Sequence, residues 1–455
     1  MKVTERLAEF VASARGEAIP SEARLRAKRA ILDTVGVMLA GSREDVARIV
    51  AAGVGQAGGR PEASVAGHSG RAPAAEAALA NGVSAHALDY DDVSVSMRGH
   101  PSAPLVPALL ALGERDGSRG RDVVDGYVLG FEVQARLGRA VGAAHYALGW
   151  HATSTLGTLG AAAAAARLLR LDRDGARAAL GIAASLASGI QQNFGTMTKP
   201  LHAGWAARNG IVAASWAAAG LTADAEALEG PRGLLYAMSG GAGAEWSPAV
   251  AGLGEEWDIL VHGIGVKLYP CCYATHRAID AALEIKGAGT VKADEIATIE
   301  VKVSPGTLLP LIPRPPRTGL EGKFSLGYCL AAAFLDGTVD LASFTDGAVM
   351  RPEAQRLLRL VTPAEEGPPA DFPIGGRAEV RVRTAGGSEI TARVDVPKGD
   401  PRRPLTQDEL AAKFRQCAGM VLAPKRVDEA LETLLHIDEL TNMREIGRVL
   451  AAGER

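Results

Sequence analysis

The sequence predicts a mainly α protein: a large all-α helical domain with a smaller α+β domain inserted before its final helices. Three observations predict it. Apolar residues recur at helical spacing from residue 21 to about residue 250, alternate at strand spacing within 267–396, and return to helical spacing after Pro404. The boundaries that follow are 1–266 and 400–455 for the helical domain and 267–399 for the inserted one.

In the first helix Leu25, Leu32, Val35 and Leu39 share one face, Ser21 is the candidate N-cap, and Gly41 stops the run. Helical patterns follow at 105–112, 123–137, 156–169, 176–187 and 211–219. Many carry Ala and Gly on the apolar face, which lets helix axes approach closely. Beyond residue 267 the texture changes. Ile299, Val301 and Val303 alternate with polar neighbours as a half-buried strand, and Val380 and Val382, Gly386-Gly387, then Ile390, Ala392, Val394 and Val396 read as a hairpin. A helix at 328–335 follows a Pro- and Arg-rich loop at 305–317. Thr406 and Glu409 then form a capping box, and helices resume at 410–420 and 427–435. No fixed-period repeat is visible, which excludes a solenoid.

Composition narrows the function classes. The 455 residues are 47% hydrophobic and 22% charged, with a net charge of −3, so nothing electrostatic invites nucleic acid or an anionic membrane. The four cysteines, Cys271, Cys272, Cys329 and Cys417, lack C-x-x-C spacing and read as reduced thiols rather than a disulfide framework or zinc cluster. The opening segment MKVTERLAEF is charged and amphipathic, unlike a signal peptide, and the small-residue stretch 157–166 is too short to span a bilayer. A cytoplasmic protein is the expectation. Only 11 of the 49 basic residues are lysines, so a lysine inside an apolar, glycine-rich segment stands out.

Several segments carry chemistry. In Asn81-Gly-Val-Ser-Ala-His86-Ala-Leu-Asp89-Tyr-Asp91-Asp92, helical spacing puts His86 and Asp89 one turn apart on one face. Asp91 and Asp92 read as solvated helix-end charges. In Gly99-His100-Pro101-Ser102, Pro101 suits the first helical position and leaves His100 at the N-cap. Gly149-Trp150-His151 leads into an Ala-rich helix. In Thr198-Lys199-Pro200-Leu201-His202, Lys199 stands at a helix start, where the macrodipole disfavours a cation. An anionic partner resolves that conflict, and a substrate carboxylate is the natural candidate; His202 follows one turn later. Lys267-Leu-Tyr-Pro-Cys271-Cys272 leads to His276 at the helical-to-mixed boundary, its cysteines reading as core. Lys323-Phe-Ser-Leu-Gly-Tyr328 enters a helix. Helix starts bearing His100, His151 and Lys199 suit a polycarboxylate, with acid/base groups beside it. No P-loop, dinucleotide fingerprint or G-x-S-x-G elbow occurs.

Taken in order, these segments, from about Leu25 with Asp33-Thr-Val-Gly36 to about Gly337, resemble the MmgE/PrpD family. Its activities include 2-methylcitrate dehydration, cis-aconitate decarboxylation and iminodisuccinate epimerisation. The resemblance implies a homodimer whose smaller domain acts as a lid over the helical one, with no metal and no organic cofactor. Matching motif by motif, it implies Asp89, His100, His151, Lys199 and Tyr328 as catalytic. Lys267, His276, His202, Arg314 and Arg317 become candidates for substrate binding. One departure stands out: decarboxylase-like members have Thr directly after the D-x-D-D run, where this chain has Val93.

The expected function is therefore a cofactor-independent enzyme that moves protons beside a carboxylate of a small di- or tricarboxylic acid. A hydro-lyase comes first, an epimerase next, and a decarboxylase behind them because of Val93. A Mg²⁺-dependent cyclase built on Asp89, Asp91 and Asp92 would need aromatic walls, and aromatics are 4% of the chain. A non-catalytic binding protein is the remaining class.

Overall fold

A computed structural model describes residues 2–14, 16–241, 246–289, 291–367 and 376–451. The chain is mainly helical and divides into two compact units. One comprises residues 1–193, 197–264 and 406–455; the other comprises 194–196 and 265–405. No helix among the described residues is long and apolar enough to cross a membrane.

In the first unit, α1 (Ser21–Gly41) is preceded by Pro20, whose extended ψ makes it the N-cap, so Ser21 is the first helical residue rather than the cap. Then come α2 (Ala74–Ala87), α3 (Ser102–Asp116), α4 (Gly120–Ala147, kinked at Gly142), α5 (Ala152–Leu168) and α6 (Thr198–Ala218). Their shared core is built largely from alanines such as Ala77, Ala161, Ala162 and Ala207. Small side chains sacrifice apolar area per residue but let backbones meet. At the crossing of α2 and α6, a Cβ added to Gly82 would lie 2.8 Å from Gly204 Cα, and one added to Gly204 would lie 2.4 Å from Leu79 O. Only glycine permits that approach at either position. It brings the C-terminal end of α2 beside the N-terminal end of α6, and the functional cluster forms there.

The second unit has a four-stranded sheet ordered β2-β1-β3-β4, formed by β1 (Ile296–Val303), β2 (Val361–Glu365), β3 (Ala378–Thr384) and β4 (Glu389–Val394). The hairpin β3–β4 pairs Val380 with Ala392, and β1 pairs Val301 antiparallel with Val380. The alternating valines and Ile299 bury one sheet face with α7 (His276–Gly287) and α8 (Leu326–Asp336), in a core that includes Ile279, Leu330 and Phe334. Sequence pattern misses β2, which runs parallel to β1 with Ile299 opposite Val361. It carries Pro363, is mostly exposed and shows no alternation, as an edge strand can.

The chain then returns to the first unit with α9 (Gln407–Ala418). Its capping box is complete: Glu409 N–H donates to Thr406 Oγ1 at 3.2 Å, and Thr406 N–H donates to Glu409 Oε2 at 2.9 Å. α9 lies against α1, where Phe414 packs on Gly36.

Candidate active site

The helix α2 ends at Ala87, two residues short of the span that would keep Asp89 on the face of His86. Asp89 instead turns out of the helix with a φ of 51°. A non-glycine residue in this region costs on the order of 1 kcal/mol and persists only where its surroundings hold it. Here the hold is strong. The Lys199 ammonium, in the first turn of α6, donates to Asp89 Oδ1. Lys413 Nζ, from α9, donates to the Tyr90 carbonyl at 2.9 Å, lies 4.0 Å from the centre of the Tyr90 ring and pairs with Asp33 Oδ1 at 2.7 Å. The anion that reconciles Lys199 with a helix N-terminus is thus supplied by the protein itself.

Asp91 and Asp92 are not solvated helix-end charges; both are completely buried. The turn after α2 directs them inward because each finds hydrogen-bonding partners there. Asp91 Oδ2 lies 2.8 Å from His86 Nδ1 and 3.3 Å from His100 Nδ1. Burial alone would raise the pKa of Asp91, but the two histidines outweigh it and hold the carboxyl well below its usual range. Burial pushes His86 down to about 4, against the pull of Asp91. At neutral pH His86 is therefore a neutral ring whose Nδ1–H points at the Asp91 carboxylate. Asp92 behaves oppositely. It accepts hydrogen bonds from the backbone N–H and hydroxyl of Ser102, and burial still raises it to about 8. Neighbouring residues thus hold one ionised and one protonated carboxyl group.

His100 lies one residue before the N-cap of α3, which is Pro101 rather than His100. Its backbone N–H donates to Thr153 Oγ1 at 3.1 Å, tying the loop to α5, and its Nε2 lies 3.9 Å from Asp89 Oδ1. His151 is the N-cap of α5, but its side chain makes no capping bond. Its ring lies 5.7 Å from that of His86, which in turn lies 4.7 Å from that of His100. His151 Nδ1 meets His202 Nδ1 at 3.0 Å. Burial first, then the charges of neighbours including Lys199, keeps His151 well below and His202 near about 4, so both rings are neutral. The structure thus brings together Asp89, His100, His151, Lys199 and His202. It adds His86, which the sequence places one turn from Asp89 without a role of its own, and Asp91, which reads in the sequence as a solvated charge; the signal was the short step from His86 to Asp91 across a helix end.

The other candidates belong to the second unit. Tyr328 is fully buried in α8, and its hydroxyl donates to the carbonyl of Ser343. Lys267 and His276 are buried, with His276 Nε2 lying 3.4 Å from the Cys271 carbonyl and its ring edge-on to Tyr269. Cys271 is buried, as expected, and Cys272 is partly exposed. Arg314 pairs with Glu321 at 2.7 Å, and Arg317 N–H donates to the same carboxylate at 2.8 Å. Val93 is buried at 4% exposure, and Ser94 Oγ accepts from Met97 N–H at 3.2 Å, which already employs the hydroxyl next to it.

One donor atom from each of His86, Asp89, Asp91 and His100 falls within 4.8 Å of the others, a set that could hold a divalent ion. The Lys199 ammonium already bonds Asp89 in that group, so a lysine supplies the positive charge a metal would bring. Chemically, the cluster offers imidazoles in different electrostatic settings, an ionised carboxylate between two of them, and an ammonium at a helix N-terminus.

Comparison with known proteins identifies the family. Residues 5–247 match the MmgE/PrpD N-terminal domain, and residues 269–437 match the MmgE/PrpD C-terminal domain. The chain is 32% identical to the human cis-aconitate decarboxylase, over 91% of this chain and 87% of that protein. It is 31% identical to the mouse cis-aconitate decarboxylase, over 93% and 88%. It is 28% identical to the cis-aconitate decarboxylase of Aspergillus terreus strain NIH 2624, over 98% and 96%.

Proposed function

Because the chain belongs to the MmgE/PrpD family, we propose that it is a lyase of small polycarboxylic acids, taking a cis-aconitate-like unsaturated tricarboxylate and releasing carbon dioxide. The observation that carries this reading is the row of imidazoles, His100, His86 and His151, beside the Lys199–Asp89 ion pair. The relatives' names support decarboxylation over the hydro-lyase expected from the sequence.

In this reading Lys199 binds the carboxylate conjugated to the double bond. When the departing carboxylate leaves as carbon dioxide, its bonding electrons delocalise toward that conjugated carboxylate as an enolate, which the ammonium stabilises. His100, with Nδ1 3.3 Å from Asp91 and Nε2 3.9 Å from Asp89, is the proton donor in this reading. It protonates carbon and recovers its proton from solvent, leaving an unsaturated dicarboxylate. His151, kept neutral by burial, is the base. A decarboxylation asks this ring to hydrogen-bond a substrate carboxylate beside the reacting carbon, whereas a dehydration asks it to take the proton from carbon, so turnover depends on its tautomer in either case.

That difference sustains a second reading. Val93 contributes no hydroxyl where decarboxylase-like members have one, which favours addition or loss of water on the same substrate class. Incubation with cis-aconitate in D₂O, followed by ¹H NMR and carbon dioxide release, separates the readings. Carbon dioxide with a deuterated dicarboxylate supports the first. A hydroxy acid without carbon dioxide establishes the second. If cis-aconitate is untouched while an amino- or iminodicarboxylate exchanges with inversion, the enzyme is an epimerase.

A further inference from the structure

We propose that His202 is a positioning residue that fixes the tautomer of His151, and so decides which of its nitrogens meets the substrate carrying a proton. This rests on the reading of His151 as an acid/base group. Their Nδ1 atoms are 3.0 Å apart, both residues are buried, and burial keeps both rings neutral. Two neutral imidazoles can meet at that distance only with a single hydrogen between them. Two N–H groups would repel, and so would two lone pairs. The tautomers of the rings are therefore coupled. If His151 donates, its Nε2 bears the lone pair and the ring is a base; if His202 donates, His151 Nε2 bears the hydrogen and the ring is an acid.

The surroundings are built to hold this contact. Gly189, at a φ of 114°, accepts the His151 backbone N–H at 3.0 Å through its carbonyl. A Cβ added to Gly189 would lie 3.3 Å from His202 Cγ and 2.7 Å from Ser154 Cβ. The same residue thus anchors the backbone of one histidine and yields its side-chain space to the other. Ser154 Oγ donates to the His202 carbonyl at 3.2 Å, joining α5 to α6 at the level of the pair. Lys199, one turn before His202 on α6, disfavours charge on either ring, so the pair stays neutral and the tautomer is what can vary. His202, a candidate for substrate binding on the family resemblance, acts in this account on another side chain.

The test uses the full-length protein with ¹⁵N-labelled histidine, the His151 resonances being assigned by their loss in His151→Gln. In the wild type His151 should show the ¹⁵N shifts of one tautomer. His202→Leu removes the partner nitrogen and should give mixed or inverted tautomer shifts. His202→Asn, whose amide reaches about the same place and can donate or accept, should restore the wild-type pattern. Turnover of cis-aconitate should follow: kcat down roughly 100-fold in His202→Leu with KM changed less than about threefold, and at least tenfold of that recovered in His202→Asn. His151 shifts unchanged in His202→Leu overturn the proposal, whether or not cis-aconitate is the substrate. Raised KM at unchanged kcat overturns it in favour of substrate binding. Full activity in His151→Ala overturns the underlying reading and the proposal with it. Activity lost in His151→Ala but kept in His202→Leu overturns the proposal alone.

Discussion

In the helical unit Asp91 takes two histidines as partners and Asp89 takes a lysine. In the second unit Tyr328, Lys323 and His276 turn instead to the carbonyls of Ser343, Pro270 and Cys271. Both arrangements satisfy buried polar groups, but the first joins ionised carboxylates to histidines and a lysine. A backbone carbonyl answers a donor and goes no further. An ionisable partner makes the state of one group depend on the next, as the opposite fates of Asp91 and Asp92 display. Burial of polar groups is common to both regions; the carboxylate–histidine–lysine network belongs to the first.

The contrast can be broken most directly at His100. His100→Ala should lower turnover by about 10²–10⁴-fold while shifting the melting temperature little, since the ring is partly exposed. Near-normal turnover would reduce the cluster to a structural network. Asp91→Asn comes next. Loss of the charged hydrogen-bond acceptor should cost roughly 1.5–3 kcal/mol at the histidines, or about 10–150-fold in turnover. Asp91 is held below its usual range in the folded state, so it adds stability above the unfolded carboxyl's pKa of about 3.9, and that stability is lost as pH falls further. The variant should lack this acid-side loss in a melting series.

Asp92→Asn sharpens the comparison from the other side. The folded carboxyl keeps its proton to about pH 8, while the unfolded one releases it near about 3.9. Stability from this group therefore falls as pH rises through that window, by at most about 1.4 kcal/mol per unit. Wild type should lose melting temperature relative to Asp92→Asn between pH 5 and 8, and a constant difference would mean that Asp92 is ionised. The smallest effect is expected at Tyr328→Phe: about 1 kcal/mol of stability for a neutral hydrogen bond, with turnover within twofold. A hundredfold fall in turnover at unchanged melting temperature would move Tyr328 into the coupled group.

Much of both units was legible because the signals are local. Gly41 ends α1, Thr406 and Glu409 cap α9, and the alternating valines mark β1 and β3. Lys199 was legible through scarcity and an unfavourable position, although its partner proved to be Asp89. Asp91 and Asp92 were misread because a run of acids at a helix end is usually solvated. What partners them, His100 in the following loop and Ser102 at the start of α3, is brought back by the fold and is invisible in a local window. Asp33 and Lys413 were illegible as a pair for the same reason. The strand β2 escaped because edge strands need not alternate.

The lysine that grips the Tyr90 carbonyl stands 323 residues after it, beyond the whole of the second unit. Synthesis therefore fixes an order of events. A nascent chain can assemble α1 to α6 early, but Asp33 then faces a low-dielectric interior without its counter-charge, and the turn carrying Asp89 and Asp91 lacks its clasp. Closing such a distant contact is slow relative to local helix formation. Until α9 is made and docks, Asp33 and the Tyr90 carbonyl lack the ammonium that ties them together.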